Sequence, residues 1–367
     1  TGSANSSPTL PAETPAPRSS PAPASLALKP MAWPTAKPQT VLRSPGTNVK
    51  LVVKEEQITS QALAGNLLGD PATRPLFVAL PSDYATSDRR YPVVYVLHGY
   101  MQDAYSHVTD AVGEMETALH RGEVQEMILV FPDASNLLKG SMYLSSPAIG
   151  DYETYLTKEV VDFVDANYRT IPHRESRGVT GCSMGGDGAI HLALKYPGVY
   201  SVAAPMSGTY DWEHDPWLDP GARGFTREPN RLSELLTFAT ETLAEMALAA
   251  AAAPNLANPP FYFDMPYQLV DGTGEVVPSV WQQVSEKDPM HDAERYVEQQ
   301  VRLTGILLHH GTGDDLVPVD LARSFERLLA NLGIEHQYLE VPAGHCPNWT
   351  PSLMFMSEHL VLDDPGQ

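Results

Sequence analysis

The chain has 367 residues, and 24 Lys and Arg against 45 Asp and Glu leave a net charge of −21. That length holds one large α/β domain or two small ones, and it needs no metal or disulfide to complete a core. A surface this negative excludes nucleic acid and anionic membranes as main partners. No apolar run reaches membrane-spanning length, since the alanine-rich stretch 247–253 stops at Pro254, so no transmembrane segment is expected.

Residues 1–45 contain ten of the 33 prolines, set among Ser, Thr and Ala. Such a segment buries too little surface to offset its ordering entropy and reads as a disordered tether. The alternative for its last third is a strap along the domain, anchored by Met31 and Trp33. The composition resembles the stretch that follows the lipid-modified cysteine of bacterial lipoproteins, which implies a lipid anchor and a secreted or cell-surface location. The start at Thr1, without Met or an apolar leader, reads as a processed chain.

From residue 46 to 367 the pattern is globular. Val49–Thr59 and Arg74–Leu80 read as strands, and Tyr91–Leu97 as a buried strand ending at His98-Gly99. A helix over 104–121 and a strand over 127–131 follow. Apolar residues at Tyr155, Leu156, Val160, Val161, Phe163 and Val164 share one face of a helix over 152–168. A short strand over 177–181 then leads into a helix from Met184 to Tyr196, and 201–205 is the next strand. The last strands span 303–309 and 335–341, separated by a helix over 319–332, and a helix over 354–362 closes the chain. Strands alternating with helices predict an α/β fold with a mostly parallel central sheet, helices on both faces.

Residues 208–299 break that rhythm. They show no clean strand, a helix over 231–252, the prolines 254, 259 and 260, and the run Phe261-Tyr262-Phe263. A structureless loop that long is rare inside a domain, so the segment reads as a cap folded over the sheet's C-terminal edge.

The chemistry centres on Gly181-Cys182-Ser183-Met184-Gly185-Gly186, a G-x-S-x-G run between a strand and a helix. A sharp strand-to-helix turn strains the serine backbone and lifts its hydroxyl above the sheet, so close neighbours must lack side chains. The helix N-terminus that follows offers N–H groups to a developing oxyanion. A serine hydroxyl needs a base, and the base an orienting carboxylate. Asp314, just past the strand over 303–309, is the acid, with Asp315 as runner-up. His345, behind Gly344 and past the last strand, is the base; His309 and His310 suit core or supporting roles, and His98 a structural one. The second oxyanion donor comes from the loop after Leu97, where the Tyr100 N–H would join that of Met184 and the Tyr100 ring would line the pocket.

Only two cysteines are present; Cys182 precedes Ser183 and Cys346 follows His345. If serine and histidine meet, the sulfurs come close, and a disulfide would hold base and nucleophile in register. The alternative is two unrelated buried thiols. A bridge implies an oxidising compartment.

Residues 50–359, most strongly 91–208, resemble the esterase-D-like branch of the α/β-hydrolases, which includes feruloyl and other carboxylic-ester hydrolases and the mycolyltransferase antigens. The Cys-Ser…Asp…His-Cys arrangement is also similar to the tannase and fungal feruloyl esterase family, which includes a bacterial hydrolase of mono-hydroxyethyl terephthalate. The insertion here is shorter than that family's lid and lacks a dense Asp/Asn calcium loop, so neither lid nor metal is expected, and no cofactor. The resemblance implies Ser183, Asp314 and His345 as a triad, Tyr100 and Met184 as oxyanion donors, and ester chemistry through an acyl-enzyme. Tyr100, Trp349 and the cap residues Trp212, Trp217, Phe261, Tyr262, Phe263 and Trp281 could wall a cleft for an aromatic, feruloyl-type or terephthalate-type, small-molecule or polymer-linked ester; the alternative is that the cap aromatics form the cap's own core. Acyl transfer of the mycolyltransferase type and a non-catalytic surface binding module are the competing functions.

Overall fold

The computed structural model describes residues 1–2, 49–215 and 224–362. The expected tether beyond Gly2 and the residue Trp217 lie outside the described residues. All elements below belong to the unit Arg43–Gln367.

Eight strands make the main sheet: β1 (Val52–Thr59), β2 (Thr73–Leu80), β3 (Val93–Leu97), β4 (Ile128–Pro132), β5 (Arg177–Cys182), β6 (Val202–Met206), and, after the cap, β9 (Gly305–Gly311) and β10 (Gln337–Val341). Their spatial order is β1-β2-β4-β3-β5-β6-β9-β10. β2 pairs antiparallel with both neighbours, and every other pairing is parallel.

The central strands are apolar on both faces because helices cover both. On β3, Val93, Tyr95 and Leu97 enter one core cluster while Val94 and Val96 enter the other. On β4, Ile128 and Val130 alternate in the same way with Leu129 and Phe131. Helices α1 (Val108–Arg121) and α9 (Thr350–His359) pack on one face. On the other lie α2 (152–167), α3 (Met184–Lys195) and α8 (Val319–Asn331). The middle of α2, Tyr155–Glu159, is π-helical.

The cap holds α4 (Leu232–Leu235), α5 (Thr240–Ala252), a hairpin of β7 (Tyr267–Val270) and β8 (Thr273–Val276), α6 (Pro278–Ser285) and α7 (Pro289–Tyr296). The helix expected over 231–252 is therefore broken at 236–239, where Phe238 stacks on Phe225 with ring centroids 5.6 Å apart. The segment expected to lack strands carries the hairpin. Its turn is Asp271-Gly272, with φ of 51° and 80°, the left-handed pair a tight hairpin turn demands. Every residue of α5 from 242 to 252 is buried, alanines for the most part, and the Ala250 carbonyl accepts a 2.6 Å bond from Ser146 Oγ.

Several expected boundaries move. The helix expected from residue 104 begins at Val108. The closing helix begins at Thr350, four residues before the expected start, with a proline in its first turn. The helix expected to Tyr196 ends at Lys195, with Tyr196 as its C-cap.

Candidate active site

The C-terminal ends of β3, β5, β9 and β10 point to one edge of the sheet, where parallel α/β folds place their ligands. Ser183 sits between β5 and α3 with φ 58° and ψ −126°. Its N–H donates to the Met206 carbonyl at 3.0 Å, which fixes the turn on β6. The glycines are required by space. A Cβ on Gly181 would lie 2.3 Å from the Gly185 carbonyl oxygen, and one on Gly185 would lie 2.2 Å from that of Leu97. One on Gly186 would meet the Met206 oxygen at 2.5 Å.

Asp314 and His345 come together as expected: His345 Nδ1 lies 2.8 Å from Asp314 Oδ2. The two loops that carry them are knitted by Thr312 N–H to Val341 O at 2.8 Å and Gly313 N–H to Ala343 O at 2.9 Å. Gly311 permits this, since a Cβ there would lie 2.2 Å from the Gly344 oxygen. Asp314 Oδ1 accepts from the N–H groups of Val317 at 2.8 Å and Leu316 at 3.1 Å. Burial by itself would raise this carboxyl, but bonds from His310, His345 and Val317 outweigh it and hold the group well below the usual carboxylate range. Asp314 is therefore ionised and aimed at the His345 imidazole. The runner-up Asp315 is exposed.

His310 is fully buried, and its Nε2 lies 2.9 Å from the Val317 carbonyl. That bond puts the hydrogen on Nε2 and makes His310 a brace for the acid loop. His309 is buried in β9, and burial pushes its imidazole down to about 4. His98 donates from Nδ1 to Gly99 O at 2.9 Å and accepts at Nε2 from Ala134 N–H at 2.9 Å, so it is neutral and structural.

The loop after β3 is held open-handed toward Ser183. Gly99 N–H goes to Gln102 Oε1 at 2.7 Å and Met101 N–H to Lys139 O at 3.0 Å. The Tyr100 amide lies between these two committed groups, and its ring is fixed by a 2.8 Å bond from the hydroxyl to Leu138 O. Met184, the first residue of α3, has no helical acceptor for its N–H. Both residues line a cavity of about 260 Å³ with Ser183, His345, Cys346, Met101, Met142 and Trp212.

Cys182 and Cys346 are bonded to each other, with Cα atoms 5.7 Å apart across 164 positions of sequence. Together with His345 they are the one group of three potential metal-ligating side chains found among the described residues. Sulfurs already bonded to each other are not thiolates and do not suit a metal.

Trp349 does not line the cavity. It is 4% exposed and lies edge-on to His107, with ring centroids 5.0 Å apart, because the first turn of α9 turns it into the core behind α1. Of the described cap aromatics, Trp212 lines the cavity, whereas Phe261, Phe263 and Trp281 pack within the cap. The walls are mostly aliphatic and thioether. Both carboxyls that line the cavity, Asp187 and Asp215, went unnoticed in the sequence. Asp187 was findable, since four residues after Ser183 is one helical turn on the same face; Asp215 carries no local signal.

The family described as "Putative esterase" matches residues 71–360. Esterase Rv1288 of Mycobacterium tuberculosis is 30% identical over 274 residues, which are 73% of this chain and 51% of that protein. The chain thus spans about half the length of the curated relatives it matches. Among solved structures, a ferulic acid esterase superposes with a TM-score of 0.58 at 19% identity, covering 85% of this chain and all of that one. An S-formylglutathione hydrolase of Staphylococcus aureus gives 0.54 at 18%, covering 83% and 96%. These likenesses carry the fold, an α/β-hydrolase with a mostly parallel sheet. With its family match over 71–360 and the strand–serine–helix turn at residue 183, this chain belongs to the esterase family.

Proposed function

We propose that the chain is a serine carboxylic-ester hydrolase that works through Ser183, His345 and Asp314. The observation that carries the reading is the 2.8 Å Asp314–His345 bond, with the imidazole facing the cavity that Ser183 also lines. His345 Nε2 takes the Ser183 proton as the hydroxyl attacks the ester carbonyl. Asp314 holds the tautomer and stabilises the imidazolium. The oxyanion is held by the N–H groups of Tyr100 and Met184, which need no reorganisation as charge develops. His345 then returns the proton to the leaving alcohol, and water, activated by the same base, releases the acid.

The acyl group is bulky in this reading. Tyr100 and Trp212 give the cavity two aromatic walls, and Met101, Met142 and Met184 supply adaptable surface between them. The Cys182–Cys346 bond supports an exported, oxidising location.

Ser183→Ala tests the reading. Hydrolysis of a chromogenic ester and labelling by a serine-directed phosphonate should both disappear; turnover that survives the substitution refutes it.

A further inference from the structure

The Tyr100 N–H shares a peptide plane with the Gly99 carbonyl, and the plane before it joins the His98 carbonyl to the Gly99 N–H. Each plane is rigid and trans, so its C=O and N–H point in opposite directions. Fixing the carbonyl end therefore aims the N–H end.

Both planes are fixed by neighbouring groups. In the earlier one, the Tyr143 hydroxyl donates to the His98 carbonyl at 2.7 Å, and the Gly99 N–H donates to Gln102 Oε1 at 2.7 Å. In the later one, the Gly99 carbonyl accepts from His98 Nδ1–H at 2.9 Å and from the Gln102 N–H at 3.3 Å. Of the four polar groups on these planes, the Tyr100 N–H alone has no partner among the described residues. It points away from the doubly held Gly99 carbonyl, and Tyr100 lines the cavity with Ser183. A carbonyl that accepts two hydrogen bonds also polarises its peptide and strengthens the N–H at the other end as a donor.

Tyr143 is set in place at a cost. Its backbone is left-handed, with φ 57°, a conformation that bulky residues rarely adopt. Its ring is fully buried and fills space that Gly188 of α3 leaves open, since a Cβ there would lie 2.3 Å from ring carbon Cδ2. The His98 carbonyl that it holds lies against the first turn of the same helix, where a Cβ on Gly185 would come within 2.8 Å of the oxygen. The phenol thus fixes the loop after β3 relative to the helix that follows Ser183. Met101 and Lys139 nearby are left-handed too, with φ 62° and 73°, and the Met101 N–H bonds to the Lys139 carbonyl at 3.0 Å. Strain of this kind persists where the surroundings over-determine a geometry.

We propose that Tyr143 and Gln102 are positioning residues for ester hydrolysis: by holding the His98–Gly99 peptide at both ends, they aim the Tyr100 N–H at the oxyanion that forms beside Ser183. This inference rests on the serine-esterase reading.

Two variants of the full chain test it. Tyr143→Phe removes the hydroxyl and keeps the ring against Gly188, and Gln102→Met keeps the length and removes the acceptor. Each should lower kcat by on the order of tenfold with KM little changed, a smaller loss than the hundredfold or so that follows removal of an oxyanion donor itself. The diagnostic readout is a chromogenic ester beside its thionoester, which puts a larger and weakly accepting sulfur where the oxyanion forms. The parent should favour the oxygen ester in kcat/KM, and each variant should narrow that preference by on the order of tenfold. Each ratio is taken within one preparation, so partial misfolding does not imitate the effect. Because both side chains hold one peptide, the double variant should lose less than the product of the two single losses. An oxygen-to-sulfur preference unchanged in either variant, or losses that multiply in full, overturns the proposal. If Ser183→Ala abolishes hydrolysis in that case, the esterase reading survives alone; if hydrolysis persists in Ser183→Ala, that reading falls and this inference with it.

Discussion

His310 Nε2 lies 3.4 Å from Asp314 Oδ2, the same oxygen that meets His345 at 2.8 Å. The Asp314 carboxylate is therefore gripped from behind by the buried His310 imidazole and from the front by that of His345. The grip matters because the Asp314 side chain is fully buried, where an unsupported carboxylate would be unstable.

Replacing His310 by Leu should lower kcat by on the order of tenfold with little change in KM, since a positioning group acts on the chemical step. His310→Gln keeps a donor in place and should recover much of the loss. Equal kcat in the Leu variant and the parent would show that His310 only fills space. Asp314→Asn should be far worse, by on the order of a thousandfold or more, because it removes the charge and misdirects the imidazole tautomer.

Reduction of the Cys182–Cys346 bond, or the paired Ala substitutions, should lower both melting temperature and kcat. The loop it closes spans 164 positions, for which the chain-entropy model gives at most about 5 kcal/mol. A drop in stability with kcat intact would assign the bridge to folding alone.

Gly185→Ala should be severely destabilising. Its Cβ would sit 2.2 Å from the backbone oxygen of Leu97, where neither side can yield cheaply. Overpacking of this kind costs about 1–3 kcal/mol or more, and thermal denaturation beside circular dichroism would read it. A stable, active variant would mean that β3 and α3 are not held where the structure has them.

Stability should also depend on pH through a buried network behind the site. His191 lies 2.5 Å from Asp292 and 3.1 Å from Glu153. Burial opposes its charge, but these two carboxylates outweigh it and raise the imidazole from 6.5 to about 9. Its stabilisation is complete below 6.5 and fades as pH rises through 9. Glu153 behaves oppositely: burial opposes ionisation, yet His191, Lys195 and Tyr196 hold it at about 2, so its contribution is present above 4.5 and lost as pH falls toward 2. The contribution of this network to stability should therefore be level between about 4.5 and 6.5 and fade on either side. His191→Gln should remove the alkaline slope. An unchanged slope would place its origin elsewhere.

The sequence displayed the proposed catalytic residues because each sits in a local pattern. Ser183 sits in a glycine-crowded turn, and Asp314 and His345 each follow a strand end beside glycines. The central strands were equally legible, since burial on two faces makes them unbroken apolar runs. The cap was harder, as its elements are short and settled by contacts between distant residues. The break before Thr240 has no proline or glycine to announce it. The hairpin did carry its Asp271-Gly272 signal, but the flanking runs are four residues each. Trp349 misled because nearness to His345 along the chain suggested nearness to the cavity; the chain turns into α9 at that residue and takes the indole with it.

The sulfur bridge also changes what happens to a nicked molecule. A protease that severs the cap between Ser207 and Gln299 would leave two fragments still stapled beside Ser183 and His345, because the cut falls inside the covalent ring closed by Cys182 and Cys346. Such clipped protein would migrate as one band until a thiol reagent is added.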